Sequence, residues 1–94
     1  MTICSTDDAI VVDGAMTLPV ATSLLNEGNA LVAGGLGLID LSGVTDVDSS
    51  GLSVVFGWLR AAKAQGKSIR IANPPKDFIS LAEVYGVVDQ LPLA

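Results

Sequence analysis

The chain has 94 residues, 50% hydrophobic, 16% charged and 4% aromatic, with five Lys and Arg against ten Asp and Glu and a formal charge of −5. One domain over 1–94 is expected at that length, and a single cysteine, Cys4, with no histidine excludes zinc fingers, an internal disulfide, Cys–His pairs and Ser–His–Asp triads within the chain. The acidic balance speaks against nucleic acid or anionic lipid as a direct partner.

The first eight residues hold no base and no apolar core of the kind a secretory leader has, and the lone cysteine fits a reducing, cytosolic setting. The β-branched run 9–12 predicts a strand closed by a turn at Asp13-Gly14. Thr17 is the expected N-cap of a first helix with Pro19 near its start. Ala21, Leu24, Leu25, Gly28, Leu31 and Val32 keep helical spacing until Gly34-Gly35 stops them. The longest apolar runs, 30–39 and 51–59, fall short of the roughly 20 residues that a spanning helix needs, so no direct membrane insertion is expected.

Leu36, Leu38, Ile39 and Leu41 predict a strand buried on both faces of a parallel sheet. A polar loop, 42–48, is expected to follow. Residues 49–65 read as the strongest helix, ended by Gly66 with Lys63 and Lys67 at its C-terminus. Residues 68–72 alternate as a strand. Asn73-Pro74-Pro75 then opens a third helix, with Phe78, Leu81, Ala82 and Tyr85 on its core face and Gly86 at its end. Residues 87–94 form a short apolar tail. This order implies an α/β fold with a small mixed, largely parallel four-stranded sheet and helices packed on it.

The segment from Asp40 to Leu52 leaves the carboxyl end of a strand and enters a helix N-terminus, where α/β proteins place ligands and modifications. Asp48, Ser49 or Ser50 caps the helix on one reading. On the other, a serine there accepts a phosphate that partners sense as charge. Asp46 and Asp48 lack a Gly-rich phosphate loop, so neither a metal nor any other cofactor is expected. No acid–base constellation stands nearby, so no catalytic residue is assigned and the chain is not expected to be an enzyme.

Residues 38–52, Leu-Ile-Asp-Leu-Ser-Gly-Val-Thr-Asp-Val-Asp-Ser-Ser-Gly-Leu, resemble the signature of STAS domains, the sulphate-transporter and anti-sigma-factor-antagonist modules. The following helix, Gln65-Gly66-Lys67 and the next strand fit as well. In the regulatory branch the Ser or Thr after the Asp is phosphorylated, which maps to Ser49. Leu81-Ala82-Glu83-Val84-Tyr85-Gly86 and Leu91-Pro92 are similar to the small STAS subunit of the Mla phospholipid-transport ABC system. The likeness is strong over 36–92 and weak over the first 35 residues, and Ser49 stands where the transporter subunit usually carries Thr.

The resemblance implies a cytoplasmic accessory subunit, peripheral to the inner membrane, that binds the transporter's ATPase subunit in complex with its membrane permease and maintains outer-membrane lipid asymmetry. The alternative it implies is an anti-sigma factor antagonist regulated by phosphorylation of Ser49, with an anti-sigma factor or kinase as partner. Helical phase independently puts Val54, Val55, Trp58, Leu59, Ala61 and Ala62 toward the core, and Ser49, Ser53, Phe56, Arg60, Lys63 and Lys67 on the opposite face. Phe56 either leans into the core or stands exposed as an anchor. The expected partner interface is Thr45, Asp46, Asp48, Ser49, Ser50, Leu52, Ser53 and Phe56. Tyr85, Val87 and Leu91 could extend it, with Tyr85 core by spacing.

Overall fold

The structure is a computed structural model that describes residues 2–5, 9–35 and 37–93. Leu36 of the expected strand 36–41 and Ala94 of the tail lie outside the described residues, as do residues 1 and 6–8 of the N-terminal stretch expected not to be a secretory leader, and the side chain of Cys4. The strands are β1 (Thr2–Ser5), β2 (Ile10–Met16), β3 (Leu38–Val47) and β4 (Arg70–Ala72), and the helices α1 (Ala21–Ala33), α2 (Ser49–Ala64) and α3 (Lys76–Val84). Short 3-10 turns stand at Leu18–Val20 and Val88–Gln90. The sheet order is β1-β2-β3-β4; β1 runs antiparallel to β2, while β2, β3 and β4 are parallel.

The α/β class and the largely parallel sheet are those the sequence predicts. Both parallel crossovers, β2–α1–β3 and β3–α2–β4, step the same way across the sheet. Right-handed connections therefore lay α1 and α2 on one face. Burial follows: Ile10, Val12, Ile39, Leu41 and Ile71 are buried, and their alternates Val11, Asp13, Leu38, Asp40 and Arg70 are half-buried or exposed. The expectation that β3 is buried on both faces is corrected, because Leu38 and Asp40 are only half-buried and Ser42 is exposed while Ile39 and Leu41 are buried.

Two further corrections concern strand lengths. Asp13-Gly14 is not a turn; β2 continues to Met16. The expected polar loop 42–48 is strand as far as Val47, since Gly43, Val44, Asp46 and Val47 pair with Asp13, Gly14, Ala15 and Met16. Register shifts between Val11 and Asp13 and between Gly14 and Ala15 place extra residues in β3. A one-residue slip exchanges the faces of a strand, so the buried positions change from Ile39 and Leu41 to Val44. Gly43 sits at the first shift, where a Cβ would collide with the Asp13 carboxylate.

Thr17 caps no helix with its side chain. It precedes the 3-10 turn, and α1 begins at Ala21. Leu24, Gly28 and Val32 are buried as their spacing requires. Helices α2 and α3 end before Gly66 and Gly86, both at φ 69°, a conformation that L side chains avoid. Lys67, expected at the C-terminus of α2, instead donates from Nζ to the carbonyls of Val32 and Ala33 at 3.2 and 3.0 Å, closing α1. In the tail, Leu93 bridges to Ile71 in parallel and Ile71 N donates to Pro92 O at 2.9 Å. Among the described residues no helix is long and apolar enough to cross a membrane.

Candidate functional site

Between β3 and α2 only Asp48 is neither strand nor helix, so the candidate segment is a tight corner. Asp48 is the N-cap: Oδ1 accepts from Ser50 N at 2.8 Å and Gly51 N at 3.3 Å. Extended backbone at the cap aims the short carboxylate back at the free N–H groups of the first turn. Its second oxygen accepts from Leu18 N at 3.2 Å, across the start of the α1 crossover. Asp48 N in turn donates to Met16 O at 3.3 Å. Of the three residues weighed as a cap, Asp48 takes the role and leaves the hydroxyls of Ser49 and Ser50 out of it.

The close approach explains Gly51. A Cβ there would lie 2.5 Å from Met16 O and 2.7 Å from Val47 Cγ2, so the first turn of α2 rests directly on the strand ends. The Asp-Ser-Ser-Gly sequence therefore has a physical reading of its own: a capping acid, two small polar residues and a glycine that admits the backbone of β2.

Around this corner the expected residues divide into three groups. Thr45, Asp46, Ser49 and Ser53 are exposed, and Asp48 and Ser50 are half-buried. Ser49 and Ser53 lie one turn apart on α2 and give it a small, polar outer face. Leu52 departs from the expected interface: at 5% exposure it belongs to the core, because its helical phase turns it toward the sheet. Phe56 is half-buried and packed against the core cluster, so the leaning conformation describes it better than the exposed anchor. Trp58 is fully buried, as its phase predicts.

The proposed extension also changes. Tyr85 is 57% exposed, not core, because α3 ends at Val84 and the tyrosine follows as its C-cap. Leu91 is buried and Val87 half-buried, so neither is a free surface group. Two exposed aliphatic residues near the corner escaped the sequence reading. Leu18, 71% exposed, is held by Asp48, and Val84, 80% exposed, lines a shallow groove with Val47, Asp77, Ser80 and Leu81. A leucine before a proline, just ahead of an apolar helix, gives no sequence signal of exposure.

Chemically the corner presents a hydroxyl, a capping carboxylate and small side chains. Both oxygens of Asp48 already accept from N–H donors, Oδ2 from Leu18 and Oδ1 from Ser50. Among the described residues no group of three His, Cys, Asp or Glu is placed to hold a metal. The Asp40 carboxyl, deeper in β3, is held below its ordinary value of 3.8 mainly by the N–H of Ser42, at 2.9 Å, with the Ser42 hydroxyl and Asn73 assisting against partial burial.

Comparison with known proteins gives consistent results. A solved structure of the anti-sigma factor antagonist SpoIIAA in its unphosphorylated form superposes with a TM-score of 0.72, over 99% of this chain and 86% of that one, at 16% identity. That likeness shows the fold. In sequence, the intermembrane phospholipid transport system binding protein MlaB of Haemophilus influenzae is 32% identical over 50 residues, about half of each protein: 53% of this chain and 48% of that relative. The family described as the MlaB STAS domain matches residues 2–93, nearly the whole chain. With the capped Asp-Ser-Ser-Gly corner and the one-faced sheet in place, the chain belongs to the STAS-domain family, in the branch described by MlaB.

Proposed function

We propose that this protein is a non-catalytic accessory subunit that binds the ATPase subunit of an inner-membrane phospholipid ABC transporter and stabilises or regulates it. It works in the cytoplasm, reaches the membrane through that partner and its permease, and serves outer-membrane lipid asymmetry. The match of the MlaB STAS family over 2–93 carries this reading, and the relative named as a binding protein of intermembrane phospholipid transport supports it. The corner would be the docking surface: Thr45, Asp46, Ser49 and Ser53 are exposed and Asp48 and Ser50 half-buried where β3 ends and α2 begins, with Phe56 behind them. Small exposed side chains let a partner approach closely, and binding then shifts the partner's assembly or catalytic state without chemistry here.

The second reading, an anti-sigma factor antagonist switched by phosphorylation of Ser49, is favoured by one observation: Ser49 is exposed at the first helical position. A phosphate there would meet an N-terminus whose next two N–H groups Asp48 already occupies, placing like charges side by side. Purifying the tagged protein at native level and identifying what accompanies it separates the two readings. The transporter's ATPase subunit is the expected companion, and Ser49→Arg should remove it while leaving the fold intact. A kinase or anti-sigma factor in its place, with a phosphorylated fraction in the intact mass that Ser49→Ala abolishes, would establish the second.

A further inference from the structure

We infer that Leu18 is the apolar anchor of this docking surface, that Asp48 positions it, and that it seats in an apolar socket of the partner rimmed by Lys or Arg. The inference rests on the accessory-subunit reading and says which chemistry the ATPase surface must offer. Leu18 is an aliphatic side chain with 71% of its surface in water, yet its backbone is not loose. It opens the turn Leu18–Val20, where Pro19 fixes one dihedral and Val20 N donates to Thr17 O at 3.1 Å. Its own N–H is held by Asp48 Oδ2, 30 residues later in the chain.

The tether is part of a seam. Asp48 N reaches Met16 O, and Gly51 lets the first turn of α2 rest on that same carbonyl. Residues 16–18 and 48–51 thus form one ridge, with Leu18 standing beside the carboxylate that precedes Ser49. An exposed apolar side chain on a pre-ordered backbone loses little freedom when it is covered, which is the condition for an anchor. Among the described residues the other large exposed apolar side chains are Tyr85 and Leu93, at the end of α3 and in the tail, and Val84, on the last turn of α3 beside Val47.

Charge identifies the rim of the socket. The pieces that build the ridge, the 3-10 turn, the end of β3 and the first two turns of α2, carry Asp46 and Asp48 and no base. All five bases of the chain lie at Arg60 or beyond. A partner that covers Leu18 must bring its own positive charge to this edge, and the attraction is screened by salt.

The test is a titration of the purified full chain against the ATPase subunit of the same organism's phospholipid transporter, at low and high salt. Leu18→Ala should weaken binding at least about 10-fold, as the loss of a central anchor does, with unchanged thermal unfolding because the side chain is in water. Asp48→Asn keeps an oxygen for Ser50 and Gly51 but turns an NH2 toward the Leu18 N–H. It should speed hydrogen exchange at the Leu18 amide and weaken binding about 3-fold or more, while at high salt, where the Asp48 charge is screened, the double variant binds no worse than Leu18→Ala alone, as expected for residues acting as one unit. Asp46→Asn should flatten the salt dependence.

Wild-type affinity in Leu18→Ala, alongside lost binding in Ser49→Arg, overturns the anchor and leaves the accessory-subunit reading standing. Fully additive losses in the double variant at high salt overturn the positioning role of Asp48, and salt-independent binding overturns the basic rim. Failure of the wild-type chain to bind the ATPase subunit overturns the anchor and the accessory-subunit reading together.

Discussion

Trp58 and Asp48 each reach from the α2 side of the molecule to the α1 side, one through the core and one at the solvent edge. The Trp58 indole is fully buried and its Nε1 donates to Leu24 O at 3.1 Å and Leu25 O at 3.2 Å. The helices are close enough that a Cβ on Gly28 would fall on that indole, and one on Gly57 would come within 2.5 Å of Leu25 Cδ1. At the other end Asp48 joins the same two connections through Leu18 N, which donates to Oδ2, while Oδ1 caps α2 itself, and its neighbours Thr45, Asp46, Ser49 and Ser53 face water. The interior seam has no spare space, while the cap holds backbone and leaves side chains free. A binding surface built on the second can vary in its side chains because the first keeps the helices in place.

That contrast can be broken at several points. The largest effect belongs to the seam: Gly28→Ala must displace the indole and its hydrogen bonds, an overpacking cost of about 1–3 kcal/mol, readable as a lower urea midpoint. Wild-type stability in that variant would mean the helices can separate freely. Asp48→Ala removes a cap and should cost about 1 kcal/mol, with faster amide exchange at both Leu18 and Ser50. Exchange that quickens only at Ser50 would show that the Leu18 tether is idle. Lys67→Met takes an ammonium from the last carbonyls of α1, worth about 0.3–1 kcal/mol, and fraying at Val32 and Ala33 should follow in hydrogen exchange.

The smallest effect is a pH dependence. Because the folded-state pKa of Asp40 is depressed, its contribution to stability is fully present above the ordinary value of 3.8 and is lost as pH falls below that through the folded-state value. Asp40→Asn should therefore show a shallower loss of stability under acid than the wild type, with little change near neutrality. An identical acid profile would remove Asp40 from the account.

Much of this is legible in the sequence. The three helices, the glycines that end them, the buried Trp58 and the capped corner after β3 all follow from local periodicity and capping chemistry, which act over a few residues. The departures share a cause in pairing across the sheet. Ser42 to Val47 looks like a loop because its polar and small residues break alternation, yet β2 pairs with it and the register shifts accommodate the break. Strand β1, the member of the expected four-stranded sheet that no segment of the sequence marks, exists through its pairing with β2. Lys67 was assigned to its own helix and serves α1 instead. Tyr85 kept helical spacing one residue past the point where the helix stops.

For the site, residue types marked the Asp-Ser-Ser-Gly corner and its exposed serines, since a capping acid and a small first turn are local requirements. Phe56 is placed by phase and Leu52 by its position in the motif, and packing decides how far each turns inward. The exposure of Leu18 had no local signal at all. It arises because Asp48, distant in the chain, holds the backbone of residue 18 and leaves its side chain outside. By itself the sequence determined the three helices, the glycines that end them and the corner, all set by short-range hydrogen bonding and periodicity. Only the tertiary structure decided the length of β3, the single covered face of the sheet and the ridge of Leu18 and Asp48, because each depends on segments that meet only when the sheet assembles.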